Sequence, residues 1–470
     1  MAAFLNCPTE LVDTILERVS FRDLAALSLA SKKLHEFATP QLYSYIDLSI
    51  HRGNPRPIIH LTRSVFNNPE LAKHVKSVRL RDGDEKIQKL YRGYSYDESV
   101  PEVSPPRPTD EDGMPEFIKF IKKTGLPYAH LWIDKLRIAD FNAFVALLLS
   151  RLPDLKSFRI GYAAVNQFLG KLFQSAVFDT SNHGLSRFQQ LEEISFPGPI
   201  SVNPGKNPDF CNPCDMVALL SLPSIRSIRG WCWNPSSLPF TWPTDPPDPV
   251  HLTSLTLSYV HVDFLAQILA RTRALKTLCW KWKWIQDTHP LNTDTIDLNR
   301  FVEAVQPIRD TLEDLTIGFE FDDMSWGGIE PGMMKALGTL HGLEGFANIK
   351  RFQAPLGVLL PDWDWNAGAD PTRRLEDSLP RNVEVVTVTD AFMSDYYAYD
   401  EYEELDFVRA WLLGTASTRT PQLNEVCYYL DRNASEFEEK SYEPIKQIFE
   451  GTNVRYRIIK ARDEKPWEAV

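Results

Sequence analysis

Cysteine is scarce in this sequence, with six in 470 residues. Small disulfide-held scaffolds use cysteine far more densely, so a disulfide framework is excluded. Cys211 and Cys214 form one C-x-x-C pair, but a structural zinc site needs two further ligands of suitable spacing. Neither a second C-x-x-C pair nor a pair of histidines accompanies them. We therefore expect no metal site and no cofactor.

The sequence also lacks long apolar runs and the short motifs of common enzymes. No segment has the uninterrupted apolar length that a membrane span requires, and the amino-terminal residues do not resemble a signal peptide. We expect no membrane partner and a location in the cytoplasm or the nucleus. A nucleophile elbow, a P-loop, a dinucleotide-binding glycine motif and an H-E-x-x-H motif are all missing. This is weak evidence against an enzyme, because catalytic residues need only meet in space.

Charge is unevenly distributed along the chain. The net charge is −12 at pH 7, yet residues 1–60 contribute none of it, since six basic residues offset six acidic ones. All the excess negative charge therefore lies in residues 61–470. A nucleic-acid binder depends on clustered positive charge, so we expect no nucleic-acid partner. The acidity weakly favours a basic or neutral protein partner.

The first forty-odd residues contain a compact helical pattern. Pro8 suits the first turn of a helix. The apolar residues that follow it at helical spacing are Leu11, Val12, Ile15, Leu16 and Val19. Ser20 and Asp23 have the spacing of a capping box, so a second helix begins after Ser20. Ser31 is placed to cap a third helix, which we expect Pro40 to end. A segment this short buries its apolar residues poorly, so it needs a partner.

This pattern resembles an F-box of the type common in fungal proteins. The positions that carry the resemblance are Leu5, Pro8, Glu10, Leu11, Ile15, Leu16, Asp23, Leu24, Leu27, Leu29, Leu34, Pro40, Leu42 and Tyr43. The resemblance implies docking on a Skp-type adaptor and, through it, on a cullin scaffold of a ubiquitin ligase. The docking residues that it implies are Leu5, Pro8, Leu11, Ile15, Leu16, Leu24, Leu27 and Leu34. Cys7 departs from the family, which usually has leucine there. The alternative is a helical cap packed against a larger domain.

A second pattern, L-x-x-L-x-L, recurs after residue 70. Its clear copies start at Val75, Leu155, Leu191, Leu252, Leu275 and Leu312, and weaker copies start at Ile225, Ile349, Val383 and Leu423. The last two apolar positions of each copy lie two residues apart, so both face one side of a short strand. Segments between copies, such as 141–149 and 264–269, have helical spacing. Alternating strands and helices of this period stack into a solenoid.

The repeats resemble a divergent leucine-rich-repeat domain. The usual Asn or Cys after the strand is missing and the period is irregular. The resemblance implies an α/β fold with parallel strands on the concave face and helices and long loops outside. We predict an F-box at 1–48, a linker at 49–70 and a solenoid at 71–470. Flexible insertions are expected near 91–115, 197–213, 234–249 and 390–406, which are rich in proline or acidic residues. The alternative is a doubly wound α/β sheet.

Alternation along the strands predicts which residues face a target protein. Large aromatic residues on an exposed face are typical binding anchors, and loops after strands are common recognition sites. The candidates are Trp231, Trp233, Lys281, Lys283, Trp326, Trp363 and Trp365. In the run 280–284 we expect the tryptophans to face the core and the lysines to face outward.

The sequence therefore favours a non-catalytic substrate-recognition subunit of a Skp, cullin and F-box ubiquitin ligase. Its F-box would bind the adaptor and its repeats would bind an unknown target protein. Two alternatives stay open. One is an α/β enzyme with a helical amino-terminal cap, and the other is an adaptor-bound scaffold without ubiquitin transfer.

Overall fold

The computed structural model describes most of the chain and divides it into two compact units. The described residues are 7–50, 54–82, 108–109, 112–161, 167–179, 181, 184–196, 211–284, 291, 293, 295–321, 335–360, 374–389, 401–430 and 449–460. The first unit comprises residues 1–201 and 206–230, and the second consists mainly of residues 231–470. Each unit is described separately.

The first unit opens with a module of three short helices. They are α1 (Thr9–Leu16), α2 (Phe21–Ala30) and α3 (Lys32–Ser44). Both predicted caps are present. The Ser20 hydroxyl oxygen accepts from the backbone N–H of Asp23 at 3.2 Å, and that of Ser31 accepts from the N–H of Leu34 at 3.2 Å. Each cap satisfies a helix N–H that has no partner within its own helix.

The prediction that Pro40 ends the third helix is wrong, because α3 continues through it to Ser44. A proline inside a helix removes its own N–H from the hydrogen-bond ladder. The packing of residues before and after Pro40 compensates for this loss. Ala38 is fully buried in the core of the module, and Leu42 packs against the same core.

The rest of the first unit alternates strands with helices. In chain order these are β1 (Tyr45–Ile50), α4 (Arg56–Asn67), α5 (Pro69–His74), β2 (Ser77–Asp82), α6 (Met114–Thr124), α7 (Ala129–Arg137), α8 (Phe141–Leu149), β3 (Ser157–Ile160), α9 (Gln167–Phe178), β4 (Glu193–Ser195), α10 (Pro213–Leu220) and β5 (Ser227–Trp231). The strands pair in parallel and in the order of the chain. The last residue of β5, Trp231, belongs to the second unit.

The second unit repeats this architecture. Its strands are β6 (Ser254–Ser258), β7 (Thr277–Trp284), β8 (Thr295–Asp297), β9 (Asp314–Phe321), β10 (Lys335–Leu337), β11 (Arg351–Pro355), β12 (Val385–Thr389), β13 (Glu425–Leu430) and β14 (Arg455–Lys460). Its helices are α11 (Val262–Leu269), α12 (Leu298–Val305), α13 (Leu356–Leu359), α14 (Glu401–Leu413) and α15 (Ala416–Arg419), with 3-10 turns at Gln306–Ile308, His341–Gly345 and Leu375–Ser378. The main sheet runs β6-β7-β9-β11-β12-β13-β14 in parallel, and β8 pairs with β10 separately.

The repeat pattern predicts these strands correctly, and the fold is a solenoid-like α/β stack. All ten copies of the motif form strands, and their apolar positions are buried apart from the half-buried Leu423, as Val78 and Leu80 illustrate in β2. A doubly wound sheet would reverse its strand order at a switch point. Within each unit the order instead follows the chain, so that alternative is wrong.

The domain boundaries drawn from the sequence remain predictions, and the structure differs from them in detail. Strand β1 (Tyr45–Ile50) crosses the boundary drawn between the F-box (1–48) and the linker (49–70), and its Ile46 faces Val78 of β2. The expected linker 49–70 contains α4, where Ile59 and Val65 are buried. The principal division of the described chain falls at residues 230 and 231.

The expected insertions differ in how much of each the structure describes. Residues 91–107 and 197–210 lie outside the described residues, as do residues 390–400. Residues 234–249 are described and contain no helix or strand. They are attached to α11, because the N–H of Phe240 donates to Gln267 Oε1 at 2.8 Å.

Among the helices that the structure describes, none is long and apolar enough to cross a bilayer.

A buried carboxyl group joins α9 to α10 in the first unit. Asp215 Oδ1 accepts from Gln174 Nε2 at 2.6 Å, and Oδ2 accepts from the N–H of Asn212 at 3.1 Å. Burial raises the pKa of Asp215 above its usual value. Gly170 allows this approach, since a Cβ atom built there would lie 2.2 Å from Asp215 Oδ1.

Gly170→Ala is therefore expected to lower the free energy of unfolding by about 1–2 kcal/mol. The added methyl group overpacks a carboxyl that its hydrogen bonds hold in place, at a cost of ~1–3 kcal/mol. The higher helix propensity of alanine offsets at most ~1 kcal/mol of this cost. Chemical denaturation measures the difference. Gly345→Ala is the control, because a Cβ atom there meets nothing within 4 Å; an equal loss in both variants would contradict this account.

Candidate functional site

Exposed apolar side chains are concentrated on the first two helices. On α1, Leu11 is 54% exposed and Ile15 is 46% exposed. They lie four residues apart and so occupy one face of the helix. On α2, Phe21 is 70% exposed and Leu29 is 88% exposed. Exposed apolar side chains that are grouped together mark interaction sites, so these two helices suit a protein partner.

The rest of the described chain has few comparable side chains. Of ten exposed large hydrophobic residues in the described ranges, four lie on α1 and α2. The other six are Tyr45, Ile138, Val250, Leu337, Leu413 and Tyr456. Single exposed apolar residues are ordinary on protein surfaces. Four within two adjacent short helices distinguish this module from the remaining described surface.

The predicted docking residues fall into two sets. Pro8, Leu11 and Ile15 are exposed. Three others, Leu16, Leu24 and Leu34, are buried, with exposed fractions of 1%, 6% and 3%. Leu16 and Leu24 pack with Val12 and Ala38 in the core of the module, and half-buried Leu27 packs against that core. Leu5 lies outside the described residues. The buried leucines therefore hold the helices together, and the exposed residues remain the docking candidates.

The docking residues that the resemblance implies do not include Phe21 and Leu29, which are the most exposed apolar side chains of the module. A signal was present for Leu29. It lies five residues after buried Leu24, which places it about 140° away around the helix. A leucine that far from the buried face is solvent-facing unless a partner covers it.

The expectation that Trp231 lies exposed is wrong, since only 3% of it is accessible. Its ring stacks on Tyr259 with centroids 4.5 Å apart and planes 8° from parallel. Tyr259 follows β6 with a left-handed φ of 71°, and its N–H donates to the carbonyl of Lys281 at 2.9 Å. This backbone turn brings the tyrosine over Trp231, which strand alternation alone cannot predict.

Trp233 is half-buried and completes this aromatic cluster. Its ring meets Trp231 edge-on at 5.7 Å and Tyr259 edge-on at 5.2 Å. Trp233 therefore presents a partly accessible ring that two other rings hold in place. Preorganised aromatic rings lose little conformational entropy on binding.

The alternation predicted for residues 280–284 is correct where the side chains are described. Trp280 and Trp282 are buried, and Lys281 is half-buried on the opposite face. Lys283 lies in β7, opposite Glu320 of β9, but its side chain is outside the described set. Trp326, Trp363 and Trp365 also lie outside the described residues.

The cysteines form no disulfide. Cys211 is buried and Cys214 is half-buried at the start of α10. Within the described ranges, no group of three His, Cys, Asp or Glu side chains has the geometry to hold a metal ion.

Comparison with known proteins identifies the amino-terminal module. The F-box domain family model matches residues 4–42, so an F-box domain occupies this part of the chain. No curated protein sequence matches the chain. Among solved structures, the chain is similar to one in the crystal structure of the Rad7 and Elc1 complex in yeast. That match has 10% identity, covers 91% of this chain and 90% of that one, and has a TM-score of 0.33. So low a score does not define a shared fold.

Proposed function

We propose that this chain is the substrate-recognition subunit of a cullin-type ubiquitin ligase. Its F-box domain binds a Skp-type adaptor, and its repeat units bind a target protein. The observation that carries the proposal is the F-box domain at residues 4–42 with Leu11, Ile15, Phe21 and Leu29 exposed on its helices. An adaptor surface would bury these side chains.

The proposed mechanism is positioning. A ligase subunit of this kind holds a target lysine close to the ubiquitin-conjugating enzyme, and proximity converts a bimolecular encounter into an effectively unimolecular one. The chain needs no catalytic group for this role. F-box proteins are generally non-catalytic adaptors, which agrees with this view.

Target binding is assigned to the strand faces and the loops after the strands. Trp233 and Lys281 are the candidates whose side chains the structure describes as partly accessible. Trp231 contacts the ring of Trp233 edge-on. Lys283, Trp326, Trp363 and Trp365 stay in the proposed set on the sequence argument alone.

The proposal is tested by comparing ubiquitinated proteins in cells that carry the wild-type chain or a Leu11→Ala, Ile15→Ala chain. We expect a small set of proteins to lose ubiquitin-modified lysines with the variant and to accumulate. If the wild-type chain binds the adaptor but no protein changes its ubiquitination, the chain is an adaptor-bound scaffold. If the chain binds no adaptor, the proposal is wrong.

A further inference from the structure

The sheet of the second unit ends at β14, whose outer edge is open. Among the described residues, β14 pairs only with β13. The N–H of Arg455 donates to the carbonyl of Asn424 at 3.0 Å, so the backbone of Arg455 faces β13. Successive residues of a strand direct their N–H and C=O groups to opposite sides. The backbone groups of Tyr456 and Ile458 therefore point away from β13, along an edge that another strand can join.

The core-facing side chains of β14 are incompletely covered. Tyr456 and Ile458 lie in register with Val426 and Tyr428 of β13, which are 0% and 6% exposed. Tyr456 itself is 40% exposed and Ile458 is half-buried, although Phe449 stacks on the tyrosine ring with centroids 4.9 Å apart. A repeat array needs a polar terminal repeat to stay soluble. The inner face of this terminal strand is instead apolar.

The first strand of the chain shows how an end of the repeat array is covered. Helix α3 of the F-box packs against β1 and α5. Ile46 of β1 occupies the level that Tyr456 occupies in β14, and it is only 7% exposed. No described strand or helix follows β14 to cover it in this way. The end at β14 is therefore the one that suits a partner.

The charge of β14 restricts what can join it. The strand contains Arg455, Arg457 and Lys460 and no acidic residue. Arg455 and Arg457 share the outward face, in register with Glu425 and Cys427. Arg457 Nε pairs with Glu425 at 3.1 Å, whereas Arg455 is exposed and forms no ion pair with another described residue. Like charges on paired strands are destabilising and opposite charges are stabilising. Strand β14 of a second copy therefore fits this edge poorly, and an acidic strand fits it well.

We propose that the open edge of β14 binds an extended segment of another protein in which acidic residues alternate with apolar ones. The segment adds one strand to the sheet, so main-chain hydrogen bonds supply affinity and alternate side chains supply specificity. Its apolar side chains cover Tyr456 and Ile458, and its carboxylates pair with Arg455 and Arg457. This site goes beyond the proposed function, because it lies outside the F-box and on the edge of the sheet rather than on the strand faces or loops.

The test measures fluorescence anisotropy of the purified full-length chain with three short labelled peptides. The first alternates glutamate with valine, the second alternates lysine with valine, and the third has the composition of the first with the two residue types in separate blocks. We expect the first peptide to bind about tenfold more tightly than either of the others, because only it combines charge-assisted pairing with apolar cover.

N-methylation of the first peptide tests whether it binds as a strand. Methylating alternate residues removes the N–H groups along one edge of an extended peptide and leaves those along the other edge. Methylation of one set should abolish binding, and methylation of the other set should leave it intact. An equal effect of the two sets would overturn the proposal, because strand addition uses only one edge of the peptide.

Arg455→Glu should lower the preference for the glutamate peptide over the lysine peptide by about tenfold or more, since it reverses a charge at the edge. Arg273→Glu is the matched control. Arg273 is exposed in the same unit, precedes β7 and forms no ion pair with another described residue. It should keep the preference of the wild-type chain.

Three further outcomes would overturn the proposal. They are equal binding of the glutamate and lysine peptides, no binding of any peptide, and an unchanged preference in Arg455→Glu. Sedimentation velocity of the chain alone adds a fourth, because a dimer that the glutamate peptide dissociates would assign the edge to a second copy.

Adaptor binding, measured on the same preparations, separates this site from the proposed function. It should be equal in the wild-type chain and in Arg455→Glu. If the adaptor binds but the glutamate peptide does not, only the edge of β14 is wrongly assigned. If the peptide binds selectively but the adaptor does not, the proposed function fails and the edge site stands.

Discussion

Replacing both Leu11 and Ile15 by alanine is expected to weaken binding of a Skp-type adaptor by about 100-fold. Each side chain is roughly half exposed on one face of α1. Covering such a side chain contributes about 1.5 kcal/mol, and ~3 kcal/mol corresponds to about two powers of ten in the dissociation constant. Surface plasmon resonance with immobilised adaptor measures the change.

The chain offers a closely matched control for this pair. Leu413 is 54% exposed, as Leu11 is, and Ile138 is 53% exposed, close to Ile15. Leu413→Ala with Ile138→Ala makes the same chemical change away from the F-box. It should leave the adaptor affinity unchanged. If both double variants lose affinity equally, general destabilisation accounts for the effect and α1 is not the docking surface.

Trp280→Ala is expected to lower the free energy of unfolding of the second unit by about 3–5 kcal/mol. The side chain is 0% exposed, and its ring stacks on Phe301 with centroids 4.9 Å apart. Its indole N–H donates to the carbonyl of Val260 at 2.8 Å. Truncation leaves a large cavity and a buried carbonyl without its donor, and each adds to the cost. Chemical denaturation followed by circular dichroism measures the loss.

Two further variants make this prediction specific. Trp280→Phe keeps a ring against Phe301 and loses the indole N–H, so its cost should be intermediate. Val250→Ala changes a residue that is 60% exposed and should cost less than about 0.5 kcal/mol. Adaptor binding should persist in Trp280→Ala, because the F-box belongs to the other unit. A cost for Trp280→Ala no larger than that for Val250→Ala would contradict its place in the core.

The sequence predicts the strands of this fold well because the repeat encodes burial directly. Val78 and Leu80 illustrate this, since two apolar residues two positions apart must share one face of a strand. The predicted strands do not include β1, although Tyr43, Ile46 and Leu48 have the same spacing, because these residues fall within the range predicted for the F-box. Strand β14 lacks an apolar residue at the leading position, Asn453, so the pattern does not reveal it.

The candidate docking surface was predictable in location but not in detail. Helical spacing identified an apolar module, yet spacing alone does not say which of Leu11 and Leu16 faces inward. That choice depends on how α2 and α3 cross α1, which is a tertiary property. The same limit applies to Trp231. Its strand position is outward, and the left-handed backbone at Tyr259 lets the tyrosine ring stack over it.

The most direct test of the central claim is calorimetric titration of the full-length chain with a purified Skp-type adaptor. The account predicts saturable binding of one adaptor per chain. It also predicts a negative heat-capacity change, because apolar side chains such as Leu29 leave water on binding. An absence of binding at micromolar concentrations, with the chain folded, would contradict the claim that the F-box helices form an adaptor-docking surface.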